Sequence, residues 1–234
     1  MSSITTVAMF KPESLFNLQQ TEHAVLFKGK EWAWEAVSEI ADYIKTHLKP
    51  AVHAEIVGAP YIGKDVYIGE GARVEPGACI LGPAIIGSNC IVRHGAYVRE
   101  NVIVGDGCVI GNSCEFKNCL LFNEVQVPHF SYVGDSILGY KAHLGAGVIV
   151  SNLKLNKTPI DIYYEGQTYR TNMKKLGAIV GDECEVGSNS VLNPGTILGR
   201  QSILYPGAIW KGVLPEASIA RSITEYKIVP RRMR

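Results

Sequence analysis

The chain has 234 residues, which is long enough for one large domain or for a domain with a small cap. Its 23 lysines and arginines nearly balance its 22 aspartates and glutamates, so the charge favours neither nucleic acid nor a membrane surface as the main partner. Hydrophobic residues make up 47% of the chain and glycine occurs 24 times, a mixture that suits a repetitive β fold with many tight turns and argues against disorder.

The N-terminal sequence and the cysteines bear on the cellular compartment. The first residues, MSSITTVAMFKPESLF, lack the basic start and long apolar stretch of a secretory signal. No apolar run approaches the roughly 18 residues of a membrane-spanning helix. We therefore expect a cytoplasmic protein whose six cysteines stay reduced. Because no C-x-x-C pair occurs, we expect no metal site and interpret four cysteines as small core residues, namely Cys90, Cys108, Cys114 and Cys184.

The first 50 residues contain one helical pattern. Between Glu31 and Leu48, apolar residues recur at helical spacing, and Pro50 follows the last of them. The pattern predicts an amphipathic helix, which must pack on something. We expect residues 1–50 to form an N-terminal segment whose helix caps the first coil of the domain that follows.

A period of six dominates the rest of the chain. Its apolar positions are Ile56, Ile62, Ile68, Val74, Ile80, Ile86, Val92, Val98, Val104, Ile110 and Phe116, then Leu138, Leu144, Val150, Val180, Val186, Leu192, Leu198 and Leu204. A helix requires spacings near 3.6 and a simple strand requires two. A period of six instead fits a triangular solenoid, in which each six-residue unit forms one short strand and one corner. We predict an all-β fold, a left-handed parallel β-helix over residues 51–214, followed by a short tail over residues 215–234.

Two segments interrupt this period. It is lost between Phe116 and Leu138, and a polar, aromatic-rich insertion over residues 151–177 separates Val150 from Val180. Because excursions from a rigid solenoid often carry function, we expect the site there. His129 lies in the first interruption, within VPHFSYVGD. A neutral imidazole can take a proton near pH 7, but position alone leaves open whether this histidine is catalytic or fills a loop.

The stretch EFKNCLLFNEVQVPHFSYVGDSILGYKAHLGAG resembles the acetyltransferase domain of the bifunctional bacterial enzyme that makes UDP-N-acetylglucosamine, and its archaeal sugar-phosphate relatives. The shared motifs are Glu-x-Lys, His-x-x-Tyr-x-Gly-Asp and Gly-Ala-Gly. Here they are Glu115, Lys117, His129, Tyr132, Gly134, Asp135, Gly145, Ala146 and Gly147. The resemblance begins at an arginine matched by Arg99 and continues to about Arg221.

The resemblance implies transfer of an acetyl group from acetyl-CoA to the amine of an amino sugar phosphate, with His129 as the general base. It implies that Arg99 and Lys117 bind the phosphate and that Tyr132 bonds the phosphate or the sugar. His143 stands where the bacterial enzyme has an asparagine that contacts the sugar, which puts the identity of the sugar in doubt. Asn152 and Lys157 are further candidates for binding the substrate or the acetyl donor.

The resemblance also implies where acetyl-CoA binds. It would lie along the later coils, between two subunits of a homotrimer, near Ala146 and Ser188, with Arg221 near its phosphates. Backbone N–H groups near Gly145 and Ala146 would stabilise the oxyanion. No metal is required for this chemistry.

Other functions remain open at this point. About 50 residues precede the repeat, without a glycine-rich basic loop, so we do not expect uridylyl transfer from this chain by itself. One alternative is an acyltransferase of the same architecture that uses an acyl carrier protein or a nucleotide-linked amino sugar. Another is a zinc hydratase like the γ-type carbonic anhydrases, although His94, His129 and His143 lack the His-x4-His spacing of that class. The last is a solenoid subunit without turnover.

Overall fold

The computed structural model describes residues 9–222 and Pro230. The chain begins with a short helix α1 (Pro12–Leu15), two 3-10 turns (Leu18–Gln20 and Ala24–Phe27) and a longer helix α2 (Glu35–His47). No helix in this part of the chain is long and apolar enough to cross a lipid bilayer.

Short strands follow from residue 51 onward. In chain order, β1 to β26 are Ala51–Val52, Glu55–Ile56, Tyr61–Ile62, Val66–Ile68, Arg73–Val74, Cys79–Ile80, Ala84–Ile86, Ile91–Val92, Tyr97–Val98, Val102–Val104, Val109–Asn112, Glu115–Leu121, Gln126–His129, Tyr132–Leu138, His143–Leu144, Ile149–Val150, Asp161–Tyr164, Gln167–Arg170, Ala178–Val180, Glu185–Val186, Val191–Leu192, Thr196–Leu198, Ile203–Leu204, Ile209–Trp210, Val213–Leu214 and Ile219–Ala220.

The strands form a coil in which each strand pairs with the equivalent strand of the next coil. One face contains nine such strands in the order β2-β5-β8-β11-β13-β15-β20-β23-β26. Their pairing is parallel, as in β2 with β5 and β5 with β8. The predicted fold class, a left-handed parallel β-helix, is confirmed.

The core lies inside the coil and is built from the residues of the six-residue series. Ile68, Val74 and Ile80 are fully buried on the three faces of one coil, and their equivalents in the next coil are Ile86, Val92 and Val98. The predicted role of the four cysteines as core residues is confirmed, because all four are buried and none forms a disulfide. The coil continues past residue 214, since β26 pairs with β23.

The interpretation of residues 116–138 as an interruption is wrong. Strands β12 and β14 pair in register, with Glu115 opposite Tyr132 and Leu121 opposite Leu138, so the coil runs through this segment without a break. The period is lost because one corner of the coil becomes one residue shorter. Arg99, Glu100 and Asn101 form this corner in one coil. Only Lys117 and Asn118 form it in the next coil. The insertion after Val150 leaves the coil at the same corner, which we call the insertion corner.

The helix α2 does not cap the first coil as predicted. It packs against β10, β12 and β14, along the side of the coil. The reason is that the stretches of these strands on this side, Val102–Val104, residues 119–121 and residues 136–138, point apolar side chains outward as well as inward. Outward-pointing side chains such as Ile103, Leu120 and Ile137 are fully buried beneath the N-terminal segment, beside Trp34 and Ile40. We call residues 9–48 the N-terminal layer.

Candidate active site

His129 stands at one corner of the coil, at the end of β13. The backbone N–H of Gly147 donates to the carbonyl of His129 (3.0 Å), and that of Asn189 donates to the carbonyl of Ala146 (2.8 Å). These bonds place His129, Ala146 and Ser188 at equivalent positions of three successive coils, about 4.8 Å apart from one coil to the next. Three residues predicted separately therefore form one column, which we call the histidine column.

The imidazole of His129 is exposed to solvent. Its ring lies 6.2 Å, centroid to centroid, from that of Phe130, which is itself 60% exposed. Within residues 9–222 and 230, neither ring nitrogen has a hydrogen-bond partner. Both nitrogens are therefore available to an incoming group, as a general base requires.

Among the described residues, the backbone near His129 offers the N–H of Ala146 as a free donor. The N–H groups of Gly145 and Gly147 are used, because they donate to the carbonyls of Val186 (2.7 Å) and His129 (3.0 Å). The N–H of Ala146 has no acceptor among the described residues. It lies one coil from His129 and is available for a negatively charged oxygen.

The predicted phosphate ligands lie at the insertion corner. Nη1 of Arg99 is 2.8 Å from Oε1 of Glu115, and Nε of Arg99 is 3.5 Å from Oε2 of Glu100. Nζ of Lys117 is 3.6 Å from Oε1 of the same Glu100. The hydrogen bond that Arg99 donates to Glu115, more than any other contact, raises the pKa of Arg99. The structure thus brings the two predicted cations together, but both face carboxylates.

Asn152, at the same corner, is held by the buried carboxylate of Asp135 and bonds Tyr132 directly. The amide nitrogen of Asn152 donates to Asp135 and to the hydroxyl of Tyr132 (3.1 Å), and Nδ2 of Asn118 donates to Asp135 (2.9 Å). Burial raises the pKa of Tyr132, and the nearby charges of Asp135 and Glu115 raise it further. Its hydroxyl therefore stays protonated at neutral pH.

The face between the two corners carries Tyr132 on its outer surface. The chain runs from His129 across Tyr132 to Asp135 at the insertion corner. The face between the two corners is about three residues of extended chain wide, or about 10 Å. The imidazole and the Arg99–Lys117 pair thus flank one face of the coil. Sequence reasoning missed Glu100 and Asn118 because neither belongs to a motif.

His143 lies on the other side of the histidine column. Its Nδ1 is 2.7 Å from Oε2 of Glu185 in the next coil. The two residues line a depression of about 250 Å³ together with Ser188 and Tyr205. The structure thus brings His143 next to Ser188 and not to the Arg99–Lys117 pair.

The two remaining candidates stand apart from these clusters. Lys157 is exposed in the insertion. Arg221 is exposed just after β26, where a bond from the Tyr205 N–H to the Ala220 carbonyl (2.9 Å) sets it opposite Tyr205, beyond Ser188 along the coil. No three histidine, cysteine, aspartate or glutamate side chains of residues 9–222 and 230 come together in a way that could hold a metal ion.

A cavity of about 510 Å³ separates the insertion from the coil. Ser151, next to Asn152, lines its coil side together with Asn193 and Lys211, and Lys154 and Tyr163 line the insertion side. Sequence reasoning identified the insertion but none of the cavity residues, because their proximity depends on how the insertion folds back.

Comparison with known proteins identifies a family that matches this chain. Residues 80–203 match the family model described as GMPPB C-terminal domain. The bifunctional sugar-1-phosphate nucleotidylyltransferase/acetyltransferase of Sulfurisphaera tokodaii is 31% identical over 93 residues, which are 40% of this chain and 23% of that protein. The bifunctional protein GlmU of Methanococcus maripaludis is 30% identical over 116 residues, which are 50% of this chain and 28% of that protein.

These matches confirm the resemblance inferred from the motifs. The chain spans about a quarter of the length of these two relatives. Among solved structures, an Arabidopsis UDP-N-acetylglucosamine acyltransferase is 15% identical, with a TM-score of 0.42 and coverage of 74% of this chain and 70% of that one.

Proposed function

The chain belongs to the family of the GMPPB C-terminal domain, and from this premise we propose that it transfers an acetyl group from acetyl-CoA to the amine of an amino sugar phosphate. The observation that carries the proposal is the histidine column. The imidazole of His129 is exposed and has no hydrogen-bond partner in the described part of the chain. It stands in line with Ala146 and Ser188 and beside the face that leads to Arg99 and Lys117. Relatives named as acetyltransferases support the same reaction class.

In the proposed reaction, His129 acts as the general base. The neutral amine nitrogen attacks the thioester carbonyl carbon, so that a C–N bond forms while the C–S bond breaks. The imidazole accepts the proton that the amine loses and returns it to the sulfur of the departing CoA. The backbone N–H of Ala146 stabilises the oxyanion of the tetrahedral intermediate.

Acetyl-CoA would lie along the histidine column. Ala146 and Ser188 continue the column from His129 toward the later coils, and Arg221 lies farther in the same direction. An exposed guanidinium at that end suits the phosphates of a long donor. Binding between subunits of a cytoplasmic homotrimer belongs to this proposal.

The acceptor would lie over the face that carries Tyr132. Tyr132 donates a hydrogen bond to the sugar or its phosphate. The two N–H groups of Asn152 are used by Tyr132 and Asp135, so its amide oxygen accepts a hydrogen bond from a sugar hydroxyl. Arg99 and Lys117 supply positive charge for the phosphate. His143 and Lys157 remain candidates that reach the substrate from other sides.

The test is release of the CoA thiol in the presence of acetyl-CoA and a panel of glucosamine and galactosamine phosphates. We expect turnover with at least one of them and a loss of at least about a hundredfold in kcat for His129→Ala, the usual size of a general-base contribution. His53→Ala, which removes an exposed histidine of the first coil, is the matched control and should keep full activity. Equal rates for His129→Ala and the intact protein would refute the mechanism.

A further inference from the structure

The cavity behind the insertion has a fixed coil wall. Ser151, Asn193 and Lys211 stand in one column, because the N–H of Ser151 donates to the carbonyl of Leu192 (2.9 Å) and that of Asn193 to the carbonyl of Trp210 (2.9 Å). This column continues the corner that carries Lys117 and Gly134. The volume of the cavity, about 510 Å³, falls within the range of about 300–1,000 Å³ that small-molecule sites occupy.

The opposite wall, which the insertion provides, is also held in place. Strands β17 and β18 form an antiparallel hairpin, and Ile160 and Ile162 are buried against the rest of the molecule. At its stem, the N–H of Leu176 donates to the carbonyl of Asn152 (3.0 Å). In its loop, Nζ of Lys154 donates to the carbonyl of Pro159 (2.7 Å). The cavity is therefore formed before a ligand arrives, which lowers the cost of binding.

Three side chains of the cavity suit three parts of a nucleotide. The ring of Tyr163 is 61% exposed and offers a face on which a base can stack. The carboxylate of Asp161 can accept hydrogen bonds from ribose hydroxyls, as acidic residues do in dinucleotide sites. The ammonium of Lys211 has no partner among the residues that the structure describes and can bind a phosphate.

We propose that this cavity binds the nucleoside diphosphate part of a nucleotide-linked amino sugar, which is then the acetyl acceptor. Ser151 adjoins Asn152, whose amide bonds the hydroxyl of Tyr132, so a sugar joined to a nucleotide in the cavity extends toward Tyr132 and His129. Lys211 has no ion-pair partner in the described part of the chain. Arg99 and Lys117, in contrast, are paired with Glu100 and Glu115. Because its cation is free, the cavity is the better site for a phosphate. The inference rests on the proposed function for the acetyl transfer itself, and it changes the acceptor from a simple amino sugar phosphate to its nucleotide-linked form.

CoA also contains a nucleotide, its 3′-phosphorylated adenosine diphosphate part. Because this part too offers a base, a ribose and phosphates, it is a second source of such a ligand. The structure favours the acceptor, because the donor column of Ala146 and Ser188 runs along the other corner of the same face. The test must therefore compare the two kinds of nucleotide.

The experiment is isothermal titration of the full chain with UDP, GDP and dTDP, and separately with CoA and adenosine 3′,5′-bisphosphate. We expect at least one nucleoside diphosphate to bind, with affinity at least about tenfold weaker in Tyr163→Ala and severalfold weaker in Lys211→Gln. Tyr163→Phe keeps the ring and should bind as the intact protein does. Tyr61→Ala removes an equally exposed tyrosine of an early coil and is the matched control.

Each contrary outcome overturns the assignment. If the two variants weaken only CoA and the bisphosphate, the cavity belongs to the donor. If no nucleotide binds, or Tyr61→Ala weakens binding as much as Tyr163→Ala does, the cavity is not a nucleotide site. Because binding is measured without turnover, the proposed acetyl transfer can fail while the nucleotide site stands, and the reverse.

Discussion

Glu100 is the residue that most changes the interpretation of the phosphate site. One oxygen of its carboxylate lies 3.5 Å from Nε of Arg99, and the other lies 3.6 Å from Nζ of Lys117. A phosphate that binds these cations must compete with that carboxylate. The site is therefore less cationic than its two basic side chains indicate.

Removing this competitor should strengthen the binding of a phosphate-bearing acceptor. We expect Glu100→Gln to lower the KM for that acceptor about two- to fivefold and to leave kcat nearly unchanged, because partly exposed ion pairs contribute up to about 1 kcal/mol. The measurement is steady-state thiol release at several salt concentrations, since the effect must shrink as salt screens the charges. Glu55→Gln, an exposed glutamate of the first coil, is the control. A raised KM in Glu100→Gln would mean that this carboxylate itself binds the acceptor.

The residue-level details of this corner could not be predicted from the sequence. The resemblance to known acetyltransferases pointed to Arg99, Lys117, Tyr132 and Asp135. Glu100 belongs to the site only because the corner folds its side chain back toward the next coil. Contacts of this kind leave no pattern in the amino-acid sequence. The cavity residue Lys211 was missed for the same reason, as it lies far from the insertion in sequence.

At the scale of elements, the N-terminal layer is joined to the coil and to the insertion through aromatic contacts. The ring of Phe10 lies 5.7 Å from that of Tyr164 and 4.9 Å from that of Tyr169.

In the same layer, Nδ1 of His23 lies 2.9 Å from the hydroxyl of Tyr43. Burial, followed by the nearby charge of His47, lowers the pKa of His23 to about 4 against the opposing charge of Asp106.

This histidine makes the layer sensitive to acid. The folded pKa lies below the unfolded value near 6.5, so the unfolded chain binds more protons between these values, and stability is lost as pH falls from about 6.5 toward 4. The loss reaches about 3 kcal/mol at most. We expect His23→Gln to reduce the pH dependence of the free energy of unfolding in this range, measured by denaturant titration at pH 7, 5.5 and 4.5.

The control for this effect is an exposed histidine outside the layer. His53→Gln should leave the pH dependence as it is in the intact protein. If His23→Gln unfolds with the same pH dependence as the intact chain, protonation of His23 does not limit the acid stability of the layer.

At the scale of the molecule, the six-residue period predicted the coil because the inward side chains of a solenoid repeat with the geometry of its faces. The shortened corner at Lys117 and Asn118 was not predicted, since the loss of one residue shifts the phase and looks like the end of the repeat. The docking of α2 could not be predicted either. An amphipathic pattern shows that a helix packs on something, but the surface was set by outward apolar residues such as Ile103 and Leu120, which leave one stretch of each strand apolar on both of its surfaces.

The face between the two corners also bears on assembly. Outward side chains of this face include Tyr97, Ile149 and Ile209, and Ile209 is 79% exposed. Exposed apolar side chains on the face that carries Tyr132 fit the homotrimer that the family resemblance implies, because burying them between subunits removes them from water.

We therefore expect the intact chain to have the mass of a trimer in sedimentation equilibrium and Ile209→Asp to dissociate it, since a carboxylate buried in an apolar contact is costly. Ile219→Asp is the matched control, because Ile219 is 61% exposed on the face of β23 and β26, in the last coil described. It should leave the mass unchanged. A monomeric intact chain would contradict a site shared between subunits, and dissociation by Ile219→Asp alone would move the interface to the other face.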